Sequence, residues 1–205
     1  YTASNSGQAA AAGTWRDRVY LDTGAGGLVD VADNWITGSL GAGATIDRTV
    51  TFQVGANFSQ GTFRWVVKTD IDGTVYERNG ESNNTTSANA TVLVARPDLA
   101  VTQVQGPGLV QSGDTLHVTW HVINTGGPAA GAWTDQIYLS QGSQTQLMAS
   151  VQHAESLATG DGYDGAADFV VPLGFSGPYE VVVIANSTAQ LTETNRTNNS
   201  NSAAL

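Results

Sequence analysis

WRDRVYLD (residues 15–22) returns later in the chain as WTDQIYLS (133–140). Side chains of a β-strand alternate between two faces, so Trp15, Asp17, Val19 and Leu21 share one side. Trp133, Asp135, Ile137 and Leu139 do the same in the second copy. One face is apolar, as in a half-buried strand, except for an aspartate set among the hydrophobic residues. Burying an unpaired carboxylate is costly, so each must be satisfied. A metal ligand, a catalytic acid and a structural hydrogen-bond acceptor are the alternatives; acceptance of backbone N–H groups from a nearby turn, such as the Asn-Thr-Gly loop, is the structural one.

Outward from these strands the likeness continues, with a period of about 117 residues. SNSGQAAAAGTWRDRVYLD (4–22) aligns with INTGGPAAGAWTDQIYLS (123–140), and SLGAG (39–43) with SLATG (156–160). GTFRWVVKTDIDGTVYE (61–77) matches GPYEVVVIANSTAQLTE (177–193) without a gap, and YERNGESNNTT (76–86) matches TETNRTNNSN (192–201). One unit has been duplicated.

Each copy reads as short strands separated by turn residues. In the second, DLAVTQV (98–104) precedes TLHVTWHVIN (115–124), where Leu116, Val118, Trp120 and Val122 alternate with outward His117, Thr119 and His121. WTDQIYL, a polar loop containing LMASVQH, YDGAADFVVP, GPYEVVVIAN and an Asn-rich turn follow. About seven strands without crossover helices predict an all-β chain: two tandem immunoglobulin-like antiparallel sandwiches. The first copy has no counterpart of PDLAVTQVQGPGLVQSGDTLHVT (97–119), and the second lacks most of a counterpart of TVLVAR (91–96). The expected division is 1–96, a domain without its first strands, and 97–205, a domain without most of its last strand. A segment of a longer tandem array is the plain account; a neighbouring chain supplying the missing edge strand is the sharper one.

Composition narrows the function. Lys+Arg 8 against Asp+Glu 18 give a formal net charge of −10, which disfavours nucleic acid and anionic membrane surfaces as partners. The absence of cysteine excludes disulfides, thiolate nucleophiles and zinc ribbons. No apolar run is long enough to span a bilayer, and the N-terminal stretch YTASNSGQAAAAG does not read as a targeting signal.

The W-x-D-x-[VI]-Y-L strand, the G-x-[FY] opening of a Val-rich strand, the E-x-N ending in Asn-Asn, and PDLAVT with a later N-T-G together resemble the CARDB family, the cell-adhesion-related domain found in bacteria. The resemblance rests on Asn5-Ser6-Gly7, Trp15, Asp17, Tyr20, Leu21, Glu77, Asn83 and Asn84 in the first copy. In the second it rests on Pro97-Asp98-Leu99, Asn124-Thr125-Gly126, Trp133, Asp135, Tyr138, Leu139, Glu193, Asn198 and Asn199. It implies an Ig-like sandwich, found in tandem in large secreted or surface-attached bacterial proteins, usually without catalysis of its own.

Asp17, Asp135, Glu77, Glu193, Asn84 and Asn199 are the expected structural residues. Both glutamates precede an Asn-rich corner containing Asn79 and Asn195, where asparagine side chains cap the loop. For calcium, Asp22, Asp30 and Asp33 supply hard oxygens on the Gly-rich segment LDTGAGGLVDVADNW of the first copy only. A cation at a junction, shared by such a Glu and by Asp98, is a further candidate. Asp70 and Asp72 before Gly73 read as a hairpin turn. No motif of nucleophilic or metal-dependent catalysis occurs: His117, His121 and His153 read as isolated, Asp161 and Asp164 as turn residues. Trp15, Trp65, Trp120 and Trp133 fall in apolar alternation, whereas Trp35 is less constrained and is a lead for carbohydrate contact. The sequon at Asn57 follows from an Asn/Ser/Thr-rich composition.

The expected role is a non-catalytic spacer or adhesion segment, extracellular or on the cell surface. Its partners would be neighbouring repeats, joined in a fibre by strand addition, or a surface or polysaccharide receptor. The alternative is an accessory module of a secreted hydrolase.

Overall fold

The computed structural model describes every residue except Gly26, Ala56, Asn57 and Asn79; Asn79 of the first corner and the Asn57 sequon therefore lie outside the described residues. The chain divides into two compact units, Tyr1–Val94 and Ala95–Leu205. Both are all-β.

In the first unit the strands are β1 (Thr2–Ser4), β2 (Ala11–Asp22), β3 (Leu28–Leu40), β4 (Thr45–Asp47), β5 (Gly61–Lys68) and β6 (Thr85–Val94), with one 3-10 turn at Glu81–Asn83. The second holds β7 (Leu99–Gln105), β8 (Thr115–Asn124), β9 (Trp133–Gln141), β10 (Gln144–His153), β11 (Gly162–Val170), β12 (Glu180–Ile184) and β13 (Ser200–Ala204).

The second unit is a seven-stranded sandwich. A three-stranded sheet of order β11-β8-β7 belongs with a four-stranded sheet of order β10-β9-β12-β13, every pair antiparallel. Alternation places the core: Leu116, Val118, Trp120 and Val122 of β8 are buried, as are Trp133, Ile137 and Leu139 of β9 and Val181 and Val183 of β12. Each such aliphatic side chain contributes about 1.5–3 kcal/mol on leaving water, offset in large part by chain entropy. Along the sandwich edge β7 lies beside β13, where the Val101 N–H donates to Asn198 O at 3.0 Å.

The first unit has the same four-stranded sheet, in the order β3-β2-β5-β6, with a two-stranded sheet of β1 and β4. Phe52 packs edge-on to Trp65 with ring centroids 5.6 Å apart, and Phe58 to Phe63 at 5.3 Å. Trp65 is only half-buried. A register shift between Arg64 and Val66 breaks the alternation that placed it in the core.

Some local readings change. β3 begins at Leu28 and runs for thirteen residues, so Asp30 and Asp33 stand on a strand. LMASVQH belongs to β10, paired with β9; Asp164 lies in β11 opposite His121, leaving only Asp161 outside the strand. Asp72-Gly73 closes no tight hairpin, because β5 ends at Lys68 and β6 begins at Thr85; the reason is the capping described below.

Gly165 shows how tightly the second core is packed. A Cβ added there would lie 2.2 Å from Trp120 Cε2, on the same inner face. Gly165→Ala is expected to lower the stability of the second unit by about 1–3 kcal/mol, the cost of overpacking, read as a reduced urea midpoint at an unchanged m-value.

Candidate functional site

The buried polar groups of the second unit gather where the connection between β12 and β13 meets β9. Asp135 is fully buried on β9. Its Oδ2 accepts from Trp120 Nε1 (3.0 Å) and the Tyr163 hydroxyl (2.7 Å), with His153 Nε2 3.1 Å away. Its Oδ1 accepts the backbone N–H of Asn186 at 3.3 Å. His153 stacks on Trp133 at a centroid distance of 5.3 Å, and Trp133 Nε1 donates to the Tyr163 hydroxyl at 3.2 Å. Burial, reinforced by the Asp135 carboxylate, pushes the Tyr163 phenol well above its usual range.

Asn186 is the pivot. Its φ is +45°, the left-handed conformation that asparagine and aspartate tolerate better than other side chains. From there its Oδ1 accepts the Leu191 N–H (3.1 Å), and its Nδ2 donates to Leu191 O (2.8 Å) and Glu193 Oε1 (2.6 Å). The same glutamate oxygen accepts from Asn199 Nδ2 at 2.6 Å, while Oε2 accepts the Leu99 N–H at 2.7 Å. Glu193 thus ties the start of the unit to its last connection. Arg196 closes the cluster by donating to Asn186 O at 2.9 Å.

The first unit repeats the arrangement with different donors. Asp17 Oδ1 accepts the Asp70 N–H at 3.2 Å, and Oδ2 accepts from the Tyr1 hydroxyl at 2.8 Å, which also accepts from Asn34 Nδ2 at 3.2 Å. Asp70 has φ +43°, and its carboxylate caps the N–H groups of Thr74 and Val75 (2.9 and 2.8 Å). Main-chain bonds follow suit: Ile71 N to Arg16 O in one unit and Ser187 N to Thr134 O in the other, both 2.9 Å. Tyr1 and Trp120 occupy corresponding places. Burial above all pushes the Tyr1 phenol up to about 12. Glu77, the partner of Glu193 by sequence, is only partly buried; burial and then Glu81 raise its carboxyl above the usual range, against the hydrogen bond from Asn84.

The turn that the aspartates hold is therefore the one after β5 and β12, not the Asn-Thr-Gly loop. Asn124 holds that loop itself: its Oδ1 accepts from Asp98 N (3.0 Å) and Gly126 N (3.2 Å), and its Nδ2 donates to Gly127 O (2.8 Å). Asp98 is engaged within its own unit, by Asn198 Nδ2 (2.8 Å) and Thr125 Oγ1 (2.9 Å).

Asp22, Asp30 and Asp33 do not converge on one point. Asp22 accepts the Gly24 N–H (2.8 Å), Asp30 pairs with Arg18 (2.6 Å), and Asp33 bridges Arg18 and Arg16 (2.5 and 3.2 Å). The Arg18 hydrogen bond holds the Asp33 carboxyl below the usual range. Among the described residues no three His, Cys, Asp or Glu side chains are grouped to hold a metal ion. His117 and His121 are not isolated: each Nδ1 meets a cross-strand carboxylate, Asp168 at 2.6 Å and Asp164 at 2.7 Å, on an exposed face where such pairs contribute little.

The CARDB family model matches residues 1–88 and again 96–203. No curated protein matches the chain. Among solved structures, similarity extends to the CARDB domain of a Pyrococcus furiosus protein. Its crystal structure in complex with di-metal ions is 19% identical with TM-score 0.43, covering 54% of this chain and 87% of that one. The solution structure of the same domain is 20% identical with TM-score 0.41, covering 54% and 94%. Beta-glucosidase 3B from Thermotoga neapolitana in complex with alpha-D-glucose is 17% identical with TM-score 0.37, over 55% of this chain and 16% of the enzyme.

Asp135→Asn replaces an acceptor by a partial donor facing three donor groups, and is expected to destabilise the second unit by about 2–4 kcal/mol. Asp17→Asn, with fewer bonds to lose, is expected to cost the first unit about 1–2 kcal/mol; calorimetry of each variant measures both. A pH series tests the phenols. A raised folded pKa adds stability that is complete below the unfolded value of about 10; that part is lost as pH climbs through the folded value of about 12 at Tyr1. The melting temperature is therefore expected to fall across that interval, and Tyr1→Phe to remove part of the slope.

Proposed function

Because this chain belongs to the CARDB family, and does so twice over, we propose that it is a non-catalytic, load-bearing spacer within a larger secreted or cell-surface bacterial protein. The observation that carries this reading is the equivalence of the two carboxylate clusters. Each aspartate has one oxygen on the N–H of a left-handed residue and the other on an aromatic donor. Such a carboxylate is committed to holding a connection in place; a general acid or nucleophile needs an oxygen that can reach substrate. The histidines support the same conclusion: two pair with carboxylates on an open sheet surface, and the third packs between Trp133 and Tyr163.

No helix among the described residues is long and apolar enough to cross a membrane. Neighbouring repeats of the same protein are the partners implied, as in other arrays whose stability sums over units and nearest-neighbour interfaces. A spacer must resist extension. Stretching single molecules held at their ends is expected to give two unfolding events, each releasing roughly 3.3–3.6 Å per residue of its unit. Extension of either unit without a resolvable force peak would remove the load-bearing role.

A further inference from the structure

The outer face of the first unit carries a group of side chains that the fold does not require. Across β2 and β3, Arg16 stands opposite Trp35 and Arg18 opposite Asp33. At the corresponding places of the second unit the pairs are Thr134 with Gln152 and Gln136 with Ser150, small or neutral polar residues on an equally regular sheet. The aspartate clusters were kept in both units; this face was not.

Trp35 is 62% exposed, unusual for the largest apolar side chain on an open strand. The Arg16 guanidinium lies over its ring, 5.1 Å from Cζ to the centroid. That guanidinium is itself clamped: Nε donates to Asp72 Oδ2 at 2.9 Å and NH1 to Asp33 Oδ2 at 3.2 Å. Arg18 is held in turn by Asp30 and Asp33. The indole is therefore braced from one side by a fixed cation while most of its surface meets solvent. Beside it runs a rim in which guanidinium donors and carboxylate acceptors alternate.

We propose that this face binds a neutral polysaccharide, with Trp35 as the stacking platform. A pyranose ring offers a flat array of C–H groups that fits an indole face, and vicinal hydroxyls can accept from a guanidinium N–H while donating to a neighbouring carboxylate. Asp30, with its side chain 58% exposed, has the most open acceptor of the rim. The formal charge of −10 opposes uronate-rich or sulfated chains. An open sheet face suits a run of sugar units rather than a single sugar. This goes beyond the spacer reading, which needs no ligand; the stretching experiment and the one below fail independently.

Affinity electrophoresis of the full chain in gels containing laminarin, arabinoxylan, galactomannan or soluble starch tests the assignment, with alginate as the anionic control. At least one neutral polymer is expected to retard the protein more than alginate does. Trp35→Ala is expected to weaken that interaction by about tenfold or more, the factor set by loss of one stacked aromatic ring. Trp35→Gln installs the residue that the second unit carries at this position, so a folded variant is available whatever the fate of the alanine; it should lose binding equally, with an unchanged melting temperature. Failure of all four neutral polymers to retard the protein overturns the proposal. So does retardation undiminished in Trp35→Gln, or an alginate effect as large as any other.

Discussion

A carboxylate buried among aromatic rings must find its donors inside the protein, and this requirement organises both units. Asp135 has a Trp, a Tyr and a backbone N–H as donors; Asp17 has a Tyr and a backbone N–H. The backbone donor belongs in each case to a residue at positive φ, Asp70 or Asn186. Its side chain then caps the turn that follows. One acceptor thus fixes how the connection leaves the sheet after β5 or β12, and in the second unit Asn186 also holds the glutamate of that connection.

Duplication separates what this arrangement demands from what it tolerates. Aspartate on the inner face, a left-handed Asp or Asn, and the main-chain bond beside it appear in both units. The aromatic donor is Tyr1 in one and Trp120 in the other. His153 and Tyr163 enlarge the second cluster only; in the first, Ile36 is the strand partner of Trp15 as His153 is of Trp133. Two carboxylates, Asp135 and Glu193, share contact with one asparagine, Asn186. The asymmetry agrees with donors being interchangeable while the acceptor is not: an indole N–H and a phenol O–H can each donate a hydrogen bond to the corresponding carboxylate oxygen.

Strand alternation made the inner faces of β2, β8 and β9 legible from the sequence, because period two leaves no doubt once one side is Leu, Val and Trp. The duplication itself marked Asp17 and Asp135 as structural. What the alternation could not reveal were partners distant along the chain: Tyr163 lies 28 residues and Asn186 51 residues from Asp135. The Asp72-Gly73 hairpin reading failed for a related reason. Asp70 caps N–H groups four and five residues ahead, which stabilises an irregular connection where local turn preference suggests a hairpin. The segment before β3 reads in sequence as a loop carrying free acids, whereas Asp30 and Asp33 stand on the strand and pair with the arginines of β2.

In the second unit Leu99 N–H meets Glu193, and Asp98 meets Asn198, contacts that span 94 and 100 residues. During synthesis, then, β7 leaves the ribosome long before the groups that will hold it exist. The polar cluster can close only when nearly the whole unit has emerged, and loop-closure entropy delays it further. An array built of such units would mature in steps of about one unit each, with the newest strand edges the ones most in need of protection from pairing elsewhere.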